Sequence, residues 1–177
     1  NYPSKVELSS DGDCVFLNTK NIRPKGFVFE TVEFISNAKD KAMRKGKLVR
    51  GDIVLTTRGT VGNVAIYDDT VIYDDMRINS GMLIFRPDSN IVTGPYLYRY
   101  FQSTNFQDQI YALTTGAEQP QLTIGQLNKL MMPVPPIAVQ EIIVSEIEYE
   151  QQRVEGCREL IAAYEARIKG VIDRVLV

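Results

Sequence analysis

The sequence predicts a mixed α+β protein, with a mainly β domain over residues 1–137 and one long coiled-coil-like helix over 138–177. Three observations carry this. Short β-branched and aromatic runs alternate with glycine, proline and asparagine turns through most of the chain. A proline cluster, "MMPVPPIAVQ" (131–140), ends that pattern with Pro133, Pro135 and Pro136. Proline fixes φ and lacks an N–H, so this stretch is extended rather than helical. Beyond it, apolar residues recur every seven positions, the period of a helix with one packed seam.

The elements follow in order. "CVFLNT" (14–19) and "FVFETVEFI" (27–35) read as strands, with "RPKG" as the turn between them. "DIVLTT" (52–57) and "NVAIYDD" (63–69) flank "RGTVGN", whose Gly59 and Gly62 suit a tight turn between two strands. "GMLIFRP" (81–87) is another strand, stopped by Pro87. "GPYLYRYFQSTNFQDQIYAL" (94–113) changes period: Tyr96, Leu97, Tyr100, Phe101, Ile110 and Leu113 fit one helix beginning after Pro95, with its aromatic stripe on the core. The last helix is about 40 residues long, roughly 60 Å at 1.5 Å per residue. Its seam runs through Ile147, Val154, Ile161, Ile168 and Val175, with Cys157, Tyr164 and Val171 three positions further on and Glu150 as a charged exception. A domain of about 130 residues cannot cover so long a stripe, so a partner helix is expected. Gly156 and Gly170 weaken the helix by up to ~1 kcal/mol each and do not overturn it.

Composition bounds the chemistry. Histidine is absent, which removes histidine acid–base catalysis, histidine-activated nucleophiles and the commonest zinc ligand. Carboxylate or metal chemistry stays open. Cys14 and Cys157 form no metal-type pair and read as free thiols in a reducing cytoplasm. No apolar run approaches the roughly 18 residues of a membrane helix, and Asn1 is not a natural start. The net charge of −2 hides an asymmetry. Between Lys39 and Arg58 seven cations face two acids, an excess of five, whereas from Ala138 onward five cations face eight acids. Such a local basic excess suits nucleic acid, or simply a solvated loop.

One likeness draws these pieces together. "LVRGDIVLTTRGTVGNVAIY", "INSGMLIFRPD", "YLYRYFQS" and "TTGAEQPQLTIGQLNKLMMPVPPIAVQEIIVSEI", in that order, resemble the specificity (S) subunit of type I restriction–modification systems. The likeness runs from about Phe16 to the end, and its most specific part is "PVPPIAVQEIIVSEI". It implies a target-recognition domain followed by a spacer helix. It further implies sequence-specific binding of double-stranded DNA, on behalf of separate methyltransferase (M) and restriction (R) subunits, with no catalysis by the S subunit itself. S subunits of this family usually carry two such sets. This sequence has one and no internal repeat, so it reads as a half-subunit that dimerises or as part of a longer chain.

The residues agree with the likeness. No methyltransferase tetrapeptide of the Asn-Pro-Pro-aromatic kind, no G-x-G-x-x-G and no G-x-x-x-x-G-K-[ST] loop appears, and neither cofactor nor metal is expected. Candidates for DNA contact are Thr57, Arg58, Thr60 and Asn63 around the glycine turn, with Lys45 and Lys47 joining Arg58 on a positive face toward the phosphates. Thr115, Gln119 and Gln121 in "TTGAEQPQLT" (114–123) are neutral groups suited to base edges, glutamine to adenine in particular. The same loop also reads as a plain polar surface. Ile147, Val154, Ile161, Tyr164, Ile168 and Val175 are the expected dimerisation seam. The family likeness implies antiparallel pairing with a second S half, and a two-fold pair would read a palindromic target. Two other readings stay open: a scaffold that assembles protein partners without DNA, and a carboxylate-dependent nuclease using Asp68, Asp69, Asp74 and Asp75. Those acids in "YDDTVIYDD" read more simply as strand ends and a turn.

Overall fold

A computed structural model of the chain describes residues 2–115 and 120–175. Strand β1 (Cys14–Leu17) is an unbroken apolar run because both of its faces are covered. It lies between β4 (Phe34–Ile35), antiparallel, and β7 (Met76–Ile78), parallel. β2 (Ile22–Arg23) and β3 (Gly26–Phe27) form a short hairpin. A second sheet has the order β6 (Val64–Ile66), β5 (Ile53–Thr56), β8 (Met82–Phe85), all antiparallel. "FVFETVEFI" thus contributes Phe27 to β3 and Phe34–Ile35 to β4 rather than one strand.

The second sheet divides the interior, and strand alternation decides which side chain goes where. Val54, Ala65 and Met82 face the core shared with Val15, Leu17, Met76 and Tyr67. Ile53, Leu55 and Val64 face the opposite core, closed by Leu97, Phe101, Phe106 and Ile110.

The segment expected as one helix is two: α2 (Gly94–Gln102) and α3 (Thr104–Thr114). Ser103 breaks them. It is extended, with ψ 151°, and its hydroxyl accepts the Phe106 N–H, so a helix-starting bond competes with continuation. Earlier, Ser36 caps α1 (Asn37–Ala42) in the same way.

The aromatic stripe packs as expected at Tyr96, Leu97 and Phe101, and its hydroxyls also hold the proline segment. Tyr96 Oη donates to the Pro133 carbonyl at 3.0 Å and Tyr100 Oη to that of Met131 at 2.6 Å. Gln109 pairs with both backbone groups of Met131. After the short α4 (Ile124–Leu127), this extended segment delivers the chain to α5 (Ile137–Val175), 39 residues and roughly 59 Å long.

α5 begins directly after Pro136 and, among the described residues, has its buried positions near its start. Gln140 and Val144 are buried, Arg99 of α2 lies 3.7 Å from Glu148, and Ile147 is half-buried. From Glu148 to Lys169 every residue is exposed. No helix among the described residues is long and apolar enough to cross a membrane.

Candidate nucleic-acid interface

The glycine loop closes the β5–β6 hairpin. Thr56 fixes its geometry: its hydroxyl donates to the Thr60 carbonyl and accepts the Asn63 N–H at 3.0 Å. Gly59 and Gly62 sit at φ +70° and +95°, a region that costs an L-residue about 1–2 kcal/mol. Gln107 of α3 braces the turn, donating to the carbonyls of Gly62 at 3.0 Å and Phe101 at 2.8 Å. A preorganised turn on the rim of a packed sheet can present side chains without an ordering cost on binding.

Just before the turn, three distant segments meet. The N–H of Thr57 donates to the Gly81 carbonyl at 2.8 Å, and the Thr57 carbonyl accepts the Leu122 N–H at 2.9 Å. Arg58 forms an antiparallel bridge with Gln121. The glycine turn and the described end of the second loop therefore meet at Arg58 and Gln121, which are exposed, as is Thr60 in the turn itself.

Other candidates are occupied differently. Thr57 is buried at 5% exposure, and Asn63 turns inward to donate to the Ile22 carbonyl at 3.1 Å. Thr115 is exposed at the end of α3, with its hydroxyl on the Tyr111 carbonyl. Gln119 lies outside the described residues.

The basic segment is not a continuous charged face. Lys47 reaches Asp40 at 2.9 Å and Asp75 at 2.6 Å, and Asp40 also holds the buried Arg77. Burial works against the Lys47 charge, but its bonds to Asp75 and Asp40 outweigh this and raise its pKa. Arg77 spans to the carbonyls of Asp40, Met43 and Lys45, tying this segment to β7. Arg50 lies over the Tyr67 ring at 4.2 Å and pairs with Asp74 at 2.9 Å, and Lys39 pairs with Glu7. Lys47 is thus placed in the fold's own ion cluster rather than beside Arg58. Lys41, Arg44, Lys45 and Arg58 make no ion pair among the described residues.

Ion pairs and hydrogen bonds occupy three of the four aspartates in "YDDTVIYDD". Asp74 holds Arg50, Asp75 holds Lys47, and Asp68 accepts from Thr70. Among the described residues no three His, Cys, Asp or Glu side chains converge as a metal site. Cys14 is buried, and burial pushes its thiol pKa up to about 12, so it is inert. A cleft of about 1080 Å³ opens between the β2–β3 turn, α2 and α5. Its walls carry Lys25, Arg99, Glu146 and Glu150 and include no residue of the glycine turn.

The mixed α+β fold with its long C-terminal helix has a counterpart in known proteins. The family model of the type I restriction modification DNA specificity domain matches residues 1–154. The chain belongs to this family. A Haemophilus influenzae type I restriction enzyme specificity subunit is 25% identical over 175 residues, covering 89% of this specificity domain's chain and 43% of its own. The EcoBI specificity subunit of Escherichia coli is 21% identical over 144 residues, covering 80% and 29% respectively. Among solved structures, the HsdS subunit from Thermoanaerobacter tengcongensis superposes with a TM-score of 0.66 at 20% identity, over 83% of this chain and 38% of that one. An M. genitalium S subunit gives 0.58 at 17%, over 88% and 36%. These likenesses establish the α+β fold with its long C-terminal helix. The specificity domain spans less than half the length of each of these relatives.

Three structural residues escape a reading of the sequence alone: Gln107, Gln140 and Arg77. Each is a polar side chain that bonds at least one backbone group far along the chain, so no local pattern marks it. The glutamine in "PPIAVQEIIV", polar together with Glu141 in a mostly apolar run, is the one signal available.

Proposed function

We propose that the chain recognises a specific double-stranded DNA sequence as the specificity component of a type I restriction–modification complex, in the cytoplasm, with methylation and cleavage carried out by M and R partner subunits. The observation that carries this reading is the Arg58–Gln121 bridge. It sets a cation able to meet phosphate or guanine beside an amide able to read adenine, on a rim held by buried backbone pairing. Thr60, Thr115 and Gln119 extend the contact surface, Lys45 is a backbone contact further along it, and Thr57 and Asn63 serve the shape of the turn.

α5 is proposed to pair antiparallel with the helix of a second S half. Val154, Ile161, Tyr164 and Ile168 stand 49–59% exposed and Val175 78%, an apolar row that a second helix covers and water does not. Glu150, the charge in that row, is paired with Arg153 at 3.2 Å and so reaches the seam neutralised.

The test is a titration of duplex DNA at two salt concentrations. Binding that weakens steeply with salt supports DNA recognition. No binding at low salt supports a scaffold role instead.

A further inference from the structure

We propose that Lys20 and Arg23 form a phosphate-binding ridge beside Arg58 and supply more of the backbone contact to DNA than the basic segment 39–47. This rests on the DNA-binding reading and names the residues that serve it.

The ridge is built by two pins between the 19–23 segment and the glycine turn. At the first, Thr19 Oγ1 lies 3.6 Å from where a Cβ on Gly59 would stand, and its Cγ2 lies 2.8 Å from the corresponding point on Gly81. Arg58 Cβ is 3.8 Å from that same point, so Thr19, Arg58 and Gly81 meet around one position that has room for no side chain. At the second pin, Asn63 Nδ2 donates to the Ile22 carbonyl at 3.1 Å. Lys20 follows the first pinned residue and Arg23 the second.

The segment is also rigid. Asn18 caps the 3-10 turn Thr19–Asn21, and the buried Asn21 donates to the carbonyls of Val28 and Thr31 at 3.1 and 2.8 Å. Arg23 is locked in the β2–β3 hairpin opposite Gly26.

Pairing leaves Lys41, Arg44 and Lys45 as free as Lys20 and Arg23 among the described residues, so it is the two pins beside the glycine turn that select Lys20 and Arg23. In the folded domain Lys39, Lys47, Arg50, Arg77, Arg86 and Arg99 are all ion-paired. Lys20 and Arg23 are exposed and make no ion pair among the described residues. Exposed cations held on rigid backbone beside a polar turn, in a chain of net charge −2, fit a polyanion. Lys25, two residues on, overlooks the cleft that holds Glu146 and Glu150, and falls outside the ridge.

The experiment compares the full chain with the double variant Lys20→Gln/Arg23→Gln and with the control Lys41→Gln/Arg44→Gln, titrating each with random-sequence duplex across a salt series. Loss of two phosphate contacts lowers the slope of log affinity against log salt by about 1.8. The ratio of wild-type to Lys20/Arg23-variant affinity is therefore expected to shrink about tenfold between about 50 and 200 mM salt, while the control keeps the wild-type slope. A wild-type slope in the Lys20/Arg23 variant overturns the ridge and leaves DNA binding intact. Equal loss in both variants assigns the effect to diffuse charge and also overturns it. A wild-type chain that binds no DNA at low salt overturns the ridge together with the reading beneath it.

Discussion

Gln140 commits its whole side chain to backbone: Oε1 accepts the Thr93 N–H at 2.8 Å, and Nε2 donates to Ile91 and Pro135 carbonyls at 2.9 and 2.8 Å. It is fully buried, so its loss strands a donor and two acceptors. Gln140→Leu is expected to cost about 2–3 kcal/mol in denaturant unfolding. A change under about 0.5 kcal/mol would mean that water or a small shift replaces all three bonds. Asp40 makes a second residue-scale case. Burial opposes its charge, but hydrogen bonds from Lys47 and Arg77 outweigh burial and hold its carboxyl below the ordinary value. A carboxylate with a depressed folded pKa contributes stability above its unfolded value, near 4, and loses it as pH falls through the folded value. Asp40→Asn should therefore be less stable than the parent at neutral pH, by on the order of 3 kcal/mol. Unfolding at neutral pH and again well below the ordinary carboxylate value should show the gap narrowing, since acid protonates the parent's Asp40 too. A gap independent of pH would assign Asp40 a steric role.

The glycine turn was legible because its cause is local. Two glycines three apart between β-branched runs need positive φ, and both have it. Replacing them separates conformation from space. At Gly59 a methyl meets nothing closer than 3.6 Å, so Gly59→Ala should cost only the strain, about 1–2 kcal/mol. At Gly62 the methyl would also meet Gln107 Oε1 at 2.9 Å, so Gly62→Ala should cost more. Equal unfolding free energies for the two variants would show that Gln107 simply moves aside. The α2–α3 break was not read from the sequence, because the aromatic stripe keeps helical spacing across Ser103 while a single hydroxyl redirects the chain. α5 was legible through its heptad, yet its packing is not local. Ile161→Asp should abolish self-association of α5 in sedimentation or light scattering if the seam is placed correctly. A variant that associates like the parent would move the seam to another face.

For the whole molecule, the two stretches proposed to contact DNA were each visible as polar and glycine- or proline-marked, but the pairing of Arg58 with Gln121 was not. Arg58 and Gln121 meet only because Leu122 is buried against the core that Leu55 and Ile110 share, which draws Gln121 alongside β5. The charge pattern misled for a related reason. Counting cations along 39–58 takes no account of Asp74, Asp75, Glu7 or Arg77, which the fold brings in from elsewhere to pair with them or with Asp40. Reading of a specific DNA sequence at the Arg58–Gln121 rim is what the proposed function depends on most. Its most direct test is selection from a random duplex pool on the chain, followed by sequencing of what is retained, for wild type and Gln121→Ala. One enriched motif is expected with wild type. With Gln121→Ala the preference should relax at particular positions of that motif, by about 1–3 kcal/mol there, with little change in binding to random DNA. Retained DNA with no enriched motif, or a motif unchanged by Gln121→Ala, would contradict it.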